Sequence, residues 1–379
     1  MSDAHRPGLP AGGPVVLIGN PANRRVTLFE AAATRSGVGV SVLPWRRLAG
    51  GGPVRLPAGA LVRVDSPGED AEVDRLLRGA DRAGGHGEIL GTAAWYAGLR
   101  AALGRLADAV RAAGGALLND PDDIATMFDK SACHARLTAA GVPVPPALPE
   151  PPRDWAELRA ALRATGWSRV FVKPAHGSSA SGVLALHIGA DRVQAATSIE
   201  LADDGRLFNS LRVRTYTDER TVAAIVDRLA PDRLQVERWF PKAGLAGRVI
   251  DLRVLVVAGE PGHVVVRASR GPLTNLHLGN ERGDLAAVRA TFGEPRYTAA
   301  LRDCVRAAAC FPGSLHAGVD LLIGAGWRRH MVAEVNAFGD LLPGVRDAAG
   351  RDSYAAQLHA LRTGRFDQWR VASLVGRTA

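Results

Sequence analysis

The sequence predicts an α/β N-terminal domain followed by a larger α+β domain. Short apolar runs alternate with helical patterns over residues 1–118, the mark of a parallel α/β unit. Asn119-Asp120-Pro121 then opens a new unit, and from Val170 onward the strands lengthen and fall into hairpins. The chain has 379 residues, too many for one domain of about 150. With 47% hydrophobic and 22% charged residues it is neither disordered nor fibrous.

The first strand is expected at Val15 to Ile18, an apolar run closed by Gly19-Asn20-Pro21. Val38 to Leu43 and Leu61 to Val64 repeat the pattern, with helices expected around Glu69 to Arg78 and Trp95 to Ala113. Asn20 and Asn23 follow a strand's carboxyl end, where such folds bind ligands, and they are equally good turn formers. Asp120-Pro121 is a helix start, and helical sequence runs on to a capping glycine, Gly141. Val142-Pro143-Val144-Pro145-Pro146 leaves extended. Further strands are expected at Val170–Lys173, Val183–His187, Leu234–Arg238, Ile250–Val257, His263–Ser269, Gly318–Leu322 and Val332–Asn336. Thr221 to Leu229 is a helix with Val222, Ile225, Val226 and Leu229 on one stripe.

The 47 basic residues exceed the 38 acidic ones by nine, as in a protein that binds anions. The arginines are spread along the chain rather than gathered in one patch, which argues against nucleic acid. No run approaches the roughly 18 apolar residues of a membrane span, and Met1 to Gly13 does not read as a signal peptide, so a cytoplasmic protein is expected. Cys133, Cys304 and Cys310 are odd in number and lack Cys-x-x-Cys spacing, as expected of buried thiols in a reducing compartment.

Three stretches carry candidate chemistry. Lys173 ends an apolar strand, and Ala175 to Gly182 is a loop of small residues whose N–H groups can close over phosphate oxygens; a purely structural hairpin has the same look. Asp320 lies inside the apolar run Gly318 to Leu322, and Glu334 and Asn336 share one face of the next strand. Together they make an oxygen-only site suited to Mg²⁺, unless Asp320 simply pairs with an arginine. Asp251 and Arg253 form an i, i+2 pair that suits either a site or a surface ladder, and Arg267, Arg270, Asn275 and His277 follow. Cys133 and His134 are helix neighbours and read as structural, and His176 and His277 as nucleotide- or substrate-side groups or as solvated loop residues.

These pieces stand in an order that resembles the ATP-grasp superfamily over residues 119–345, nearest to its carboxylate-amine ligases of the ribosomal-protein glutamate ligase type. The carriers are Asp129-Lys130 with Gly141 to Pro145, Val172-Lys173-Pro174 and its loop, Gln235-Val236-Glu237-Arg238-Trp239-Phe240, Asp251-Leu252-Arg253, Asn275, Gly318-Val319-Asp320 and Glu334-Val335-Asn336. The resemblance implies an α+β ATP-grasp fold whose subdomains, residues 119–235 with the phosphate loop and 236–379 with the metal site, clasp ATP behind an α/β domain of residues 1–118. It implies ATP with Mg²⁺ or Mn²⁺. Lys130, Lys173, Ser178, Ser179, Ser181 and Gly182 would meet the phosphates, and Glu237 and the backbone N–H of Trp239 would meet adenine. Arg238 stands where many members have an acidic ribose contact. Asp320, Glu334 and Asn336 match metal ligands, Arg253, Arg267 and Asn275 groups beside the γ-phosphate, and Arg270, His277 and Asp340 fall on the substrate side.

The activity implied is ATP-dependent activation of a carboxylate as an acylphosphate for attack by an amine, on a small molecule or peptide. An ATP-grasp kinase acting on a hydroxyl and a non-catalytic nucleotide or nucleic-acid binder are the other readings, and a homodimer is left open. Lys242, just past the hinge strand, is expected to be solvated.

Overall fold

The computed structural model describes residues 13–177, 181–189 and 192–375. The N-terminal unit runs β1 (Val15–Gly19), α1 (Arg24–Arg35), β2 (Val40–Pro44), α2 (Trp45–Ala49), β3 (Leu61–Val64), α3 (Ala71–Arg78), α4 (Thr92–Ala112) and β4 (Ala116–Leu117). Its strands pair in the parallel order β2-β1-β3-β4. Val16 and Ile18 enter one core with Leu99, Leu103 and Leu106 of α4, whereas Val15 and Leu17 enter another with Val26 and Phe29 of α1. Alternate residues of one strand therefore face different helices, which explains the unbroken apolar runs.

Two helices follow, α5 (Pro121–Phe128) and α6 (Lys130–Ala139), then α7 (Trp155–Thr165). The single helix expected up to Gly141 is broken at Asp129, whose backbone is extended and whose carboxylate accepts from Ala132 N–H at 3.0 Å, capping α6. The next sheet contains β5 (Arg169–Pro174), β6 (Leu184–Ile188), β7 (Val193–Leu201) and β8 (Leu207–Tyr216), then α8 (Glu219–Leu229) and β9 (Leu234–Arg238). Its order is β8-β7-β6-β5-β9, all antiparallel. The stripe Val222, Ile225, Val226 and Leu229 is buried against Val170, Val172, Leu184 and Leu186, as its spacing predicts. Sequence reading passes over β7 and β8, because Ala, Ser, Gln and Asn dilute their β signal and pairing alone makes them strands.

The third sheet contains β10 (Gly244–Leu245), β11 (Arg248–Val257), β12 (Glu260–Ser269) and β13 (Glu281–Arg282); after α9 (Leu285–Phe292) and α10 (Glu294–Ala309) come β14 (His316–Ile323) and β15 (His330–Asn336). Its order is β13-β12-β11-β14-β15, with β10 also on β11. The chain closes with α11 (Ser353–Arg362) and α12 (Arg365–Val375). Tyr354 and Leu358 of α11 share a core with Phe29 of α1 and Leu255 of β11, so this helix joins the first and third sheets.

Two placements differ from the expected subdivision. Strand β9 pairs with β5 and crosses the 235/236 boundary, so the strand pairing carries the division past Arg238. Ile124, Met127, Cys133 and Leu137 of α5 and α6 bury against Val319, Val332 and Val335, which places these helices on the third sheet.

Candidate active site

The site is built on the antiparallel register of β11. Asp251 stands opposite Arg267 of β12, Arg253 opposite Asp320 of β14, and Asp320 opposite Glu334 of β15. The i, i+2 spacing puts Asp251 and Arg253 on one face, and the register turns them into a cross-strand row of alternating charge. The surface-ladder alternative is excluded: Asp251, Arg253, Arg267 and Asp320 are all buried. Arg267 Nε donates to Asp251 Oδ1 at 2.7 Å, and its Nη2 lies 3.2 Å from Asp320 Oδ2. Arg253 Nε reaches Asp320 Oδ1 at 2.6 Å, yet the two are misaligned and neither completes a hydrogen bond.

Lys242 is the clearest correction. Expected in solvent, it is buried and lies 3.0 Å from Asp251 Oδ2, with Thr274 Oγ1 at 2.9 Å. A buried carboxylate in β11 attracts every cation in reach, and Lys242 lies beside β10, which pairs with β11. Burial works against the Asp251 charge, but Arg267 and Lys242 prevail and hold its carboxyl well below the usual range.

The two other lysines face this row from the second sheet and from α6. Lys173 Nζ donates to Glu237 Oε2 at 2.7 Å, and Glu237 and Glu334 keep it charged despite burial. Lys130, at the start of α6, donates through Nζ to Gly177 O at 2.6 Å while its N–H donates to Ala175 O at 3.0 Å. Burial lowers its ammonium below the ordinary lysine value, partly offset by Glu334. Gly182 ends the loop at φ +74°, with a Cβ there only 2.5 Å from Pro174 Cγ, so the turn needs glycine. Ser181 lines the cleft below it, and Ser178 and Ser179 lie outside the described residues.

Glu334 and Asn336 share a face as expected, but Ala333 is an extra residue in β15, because Asp320 pairs with Glu334 and Leu321 with Val332. This bulge lets Val332 and Val335 both enter the core while Glu334 stays turned to the cleft. Burial opposes the Glu334 charge, yet Lys130, Lys173, Arg253 and Arg267 hold it at about 2. Asn336 donates its amide to Gly318 O at 3.2 Å, which leaves its oxygen as an acceptor. Among the described residues no three His, Cys, Asp or Glu side chains cluster as for a metal. Asp320 pairs with both Arg253 and Arg267, the alternative its sequence left open, so the hard donors turned to a divalent cation are the ionised Glu334 and the amide oxygen of Asn336.

Two chambers meet at these groups. One is lined on its apolar side by Pro145, Phe171, Val183, Phe240 and Leu322. The other is lined by Arg25, Arg253, His277, Asn336 and Asp340. Lys130, Gly177, Arg267, Asn275 and Glu334 line both. Trp239 does not take its expected place, since its backbone N–H donates to Arg169 O at 3.0 Å and its ring packs on Phe171 at 5.0 Å. Arg238 and Phe240 line the chamber instead. Arg270 is exposed and lines neither chamber. His176 stacks on Tyr96 of α4 at 4.0 Å, and His134 Nε2 meets Pro145 O at 2.8 Å. Cys133 is buried and its thiol pushed up to about 12, in keeping with a structural role.

The fold matches solved structures over nearly the whole chain. D-cycloserine synthetase DcsG aligns at TM-score 0.58 and 16% identity, over 94% of this chain and 100% of its own. The ATP-grasp ligase PsnB, complexed with precursor peptide PsnA2 and AMPPNP, aligns at 0.51 and 18%, over 94% and 98%. A RimK domain protein ATP-grasp from Sphaerobacter thermophilus DSM 20745 aligns at 0.50 and 14%, over 95% and 100%. The chain has the ATP-grasp fold. The first chamber lies between the second and third sheets. Neither protein-family models nor curated proteins match the sequence. Among the described residues no helix is long and apolar enough to cross a membrane.

Proposed function

We propose that this chain is an ATP-dependent carboxylate–amine ligase of the cytoplasm, with residues 1–118 and the two halves of the clasp contributing to one site. One observation carries the reading: the two chambers share a wall of Lys130, Arg267, Asn275 and Glu334, so a nucleotide in the first presents its terminal phosphate to a substrate in the second. The apolar chamber between Phe171 and Leu322 suits a base, and the edge of Glu237 lies at its wall. Lys130, Lys173 and the loop of Ser178, Ser179, Ser181 and Gly182 hold the phosphates. Glu334 and Asn336 would hold Mg²⁺ or Mn²⁺, which when bound neutralises charge on the phosphate oxygens.

The substrate carboxylate attacks the γ-phosphorus, and the bond to the β–γ bridging oxygen breaks with release of ADP. Arg253, Arg267 and Lys173 stand where negative charge spreads during that transfer, fixed before the reaction by Asp320, Asp251 and Glu237. Asn275 orients the phosphoryl group, while His277 and Asp340 face the substrate in the second chamber. An amine then displaces phosphate from the acylphosphate. Two guanidinium groups at the junction favour a carboxylate nucleophile over a neutral alcohol.

The test is Mg²⁺-dependent ADP release across a panel of small carboxylic acids and acidic peptides, with hydroxylamine present. A hydroxamate supports the ligase. ADP with a stable phosphate ester and no hydroxamate would replace it by a kinase, and ATP binding with no ADP release for any acceptor would leave a nucleotide-binding protein.

A further inference from the structure

Helix α4 belongs to two parts of the molecule at once. Its stripe of Leu99, Leu103 and Leu106 packs with Val16, Ile18 and Val62 of the first sheet, whereas its first turn is docked on the second sheet. Gly91, the residue before the helix, has no side chain to cap it, and Asp232, just after α8, takes that place. Asp232 Oδ2 accepts from Thr92 N–H at 2.8 Å and its Oδ1 from Ala93 N–H at 3.4 Å. Ahead of the helix, Ile89 N–H donates to Leu207 O at 2.8 Å and Asn209 N–H to Gly87 O at 2.7 Å, so residues 87–89 extend the second sheet beyond β8.

Tyr96 heads the same helical stripe as the three leucines and reaches past their core to the root of the phosphate loop. Its ring stacks on His176 with centroids 4.0 Å apart and planes 7° from parallel, and its hydroxyl donates to Ala125 O of α5 at 2.9 Å. The His176 side chain is buried, and neither ring lines a chamber. The backbone on both sides of His176 carries the groups that face the phosphates. Ala175 N–H donates to Arg233 O at 2.9 Å, Ala175 O accepts from Lys130 N–H at 3.0 Å, and Gly177 O accepts from Lys130 Nζ at 2.6 Å. Between them, Asp129 and His176 pair as an antiparallel bridge.

We propose that Tyr96 is a positioning residue for the nucleotide phosphates: its ring fixes His176, and through His176 the loop root and the Lys130 ammonium. The N-terminal unit thereby sets nucleotide affinity from behind the site. The proposal rests on the reading of the first chamber as a nucleotide site. Because the contact is a stack of flat rings, another aromatic ring serves in it and an aliphatic side chain does not.

Calorimetry of AMPPNP binding to the full chain with Mg²⁺ tests this as a double-mutant cycle. Tyr96→Leu and His176→Ala should each weaken AMPPNP about tenfold, and the two together no more than either alone. Tyr96→Phe keeps the ring and loses only the bond to Ala125, so it should stay within about twofold of wild type. His176→Phe, which puts a ring back on Tyr96, should regain most of the affinity lost in His176→Ala. Adenosine, which has no phosphates, should bind wild type and Tyr96→Leu alike in saturation-transfer NMR. Wild-type AMPPNP affinity in Tyr96→Leu or His176→Ala, losses that multiply to about a hundredfold in the double variant, or adenosine weakened as much as AMPPNP would overturn the proposal and leave the nucleotide site standing. If circular dichroism shows that Tyr96→Leu does not fold, the His176 pair decides, and equal loss in His176→Ala and His176→Phe overturns the proposal. A wild-type chain that binds no AMPPNP would overturn both readings.

Discussion

Lys173→Met keeps most of the aliphatic stem and deletes the cation. In the folded protein Lys173 Nζ lies 2.7 Å from Glu237 Oε2, with side chains only 11% and 6% exposed. Removing one partner of such a pair leaves a buried carboxylate uncompensated, a loss of about 3–5 kcal/mol. Lys130, close enough to act on both lysine and glutamate, shields part of it, so a loss near about 3 kcal/mol is expected. Nucleotide affinity should fall about tenfold or more, or roughly 1.4 kcal/mol, for the missing charge-assisted contact. That fall alone would not separate a phosphate ligand from a damaged cleft. The double variant Lys173→Met/Glu237→Gln does, because it removes both charges and leaves no orphan. Its urea unfolding, followed by tryptophan fluorescence, should return to within about 1 kcal/mol of wild type. Its affinity for AMPPNP, measured by calorimetry, should stay low. Recovery of AMPPNP affinity together with stability would refute the reasoning, for Lys173 would then act only by neutralising Glu237.

The other predictions follow from the same geometry. Glu334 titrates at about 2 rather than its ordinary 4.5, so its contribution to stability is fully present above about pH 4.5 and is lost as pH falls through 2. Glu334→Gln should therefore flatten the stability profile across that window in acid titration and lower Mg²⁺-dependent ADP release about a hundredfold; an unchanged acid profile would sink the electrostatic account. Arg253→Ala should lower kcat by about a hundredfold with little change in the KM for ATP, and Arg253→Lys should regain part of it; a pure KM effect in steady-state kinetics would move Arg253 out of the transition state. Gly182→Ala forces a Cβ to 2.5 Å from Pro174 Cγ at φ +74°, a strain of about 1–2 kcal/mol, and should weaken AMPPNP binding while circular dichroism shows the fold intact. Unaltered binding would mean that the loop does not close on the nucleotide.

Much of this architecture is legible from local pattern. Leu234–Arg238 is a strand with the bounds expected from the sequence, and the α8 stripe buries as its spacing requires. The order of Lys130, Lys173, Glu237, Arg253, Asp320 and Glu334 along the chain resembles that of ATP-grasp enzymes, and each of the six lies on a strand or helix. Less legible are β7 and β8, where propensity is weak, and the break at Asp129, where one capping carboxylate overrides a continuous helical pattern.

What the sequence by itself determined was the strands that carry the site, their order, and which charged residues sit in them, since burial periodicity is a local property of the chain. Only the tertiary structure decided the partners. Register across β11 matched Asp251 to Arg267 and Arg253 to Asp320, and that row drew Lys242 out of the solvent in which its flanking sequence places it. Strand pairing left Trp239 without a free N–H, and packing of α1 beside Phe338 brought Arg25 within 3.8 Å of Asp340, 315 positions away. Such choices depend on distances between segments remote in sequence, where the gain from pairing a buried charge outweighs any local preference of the residue that pairs it.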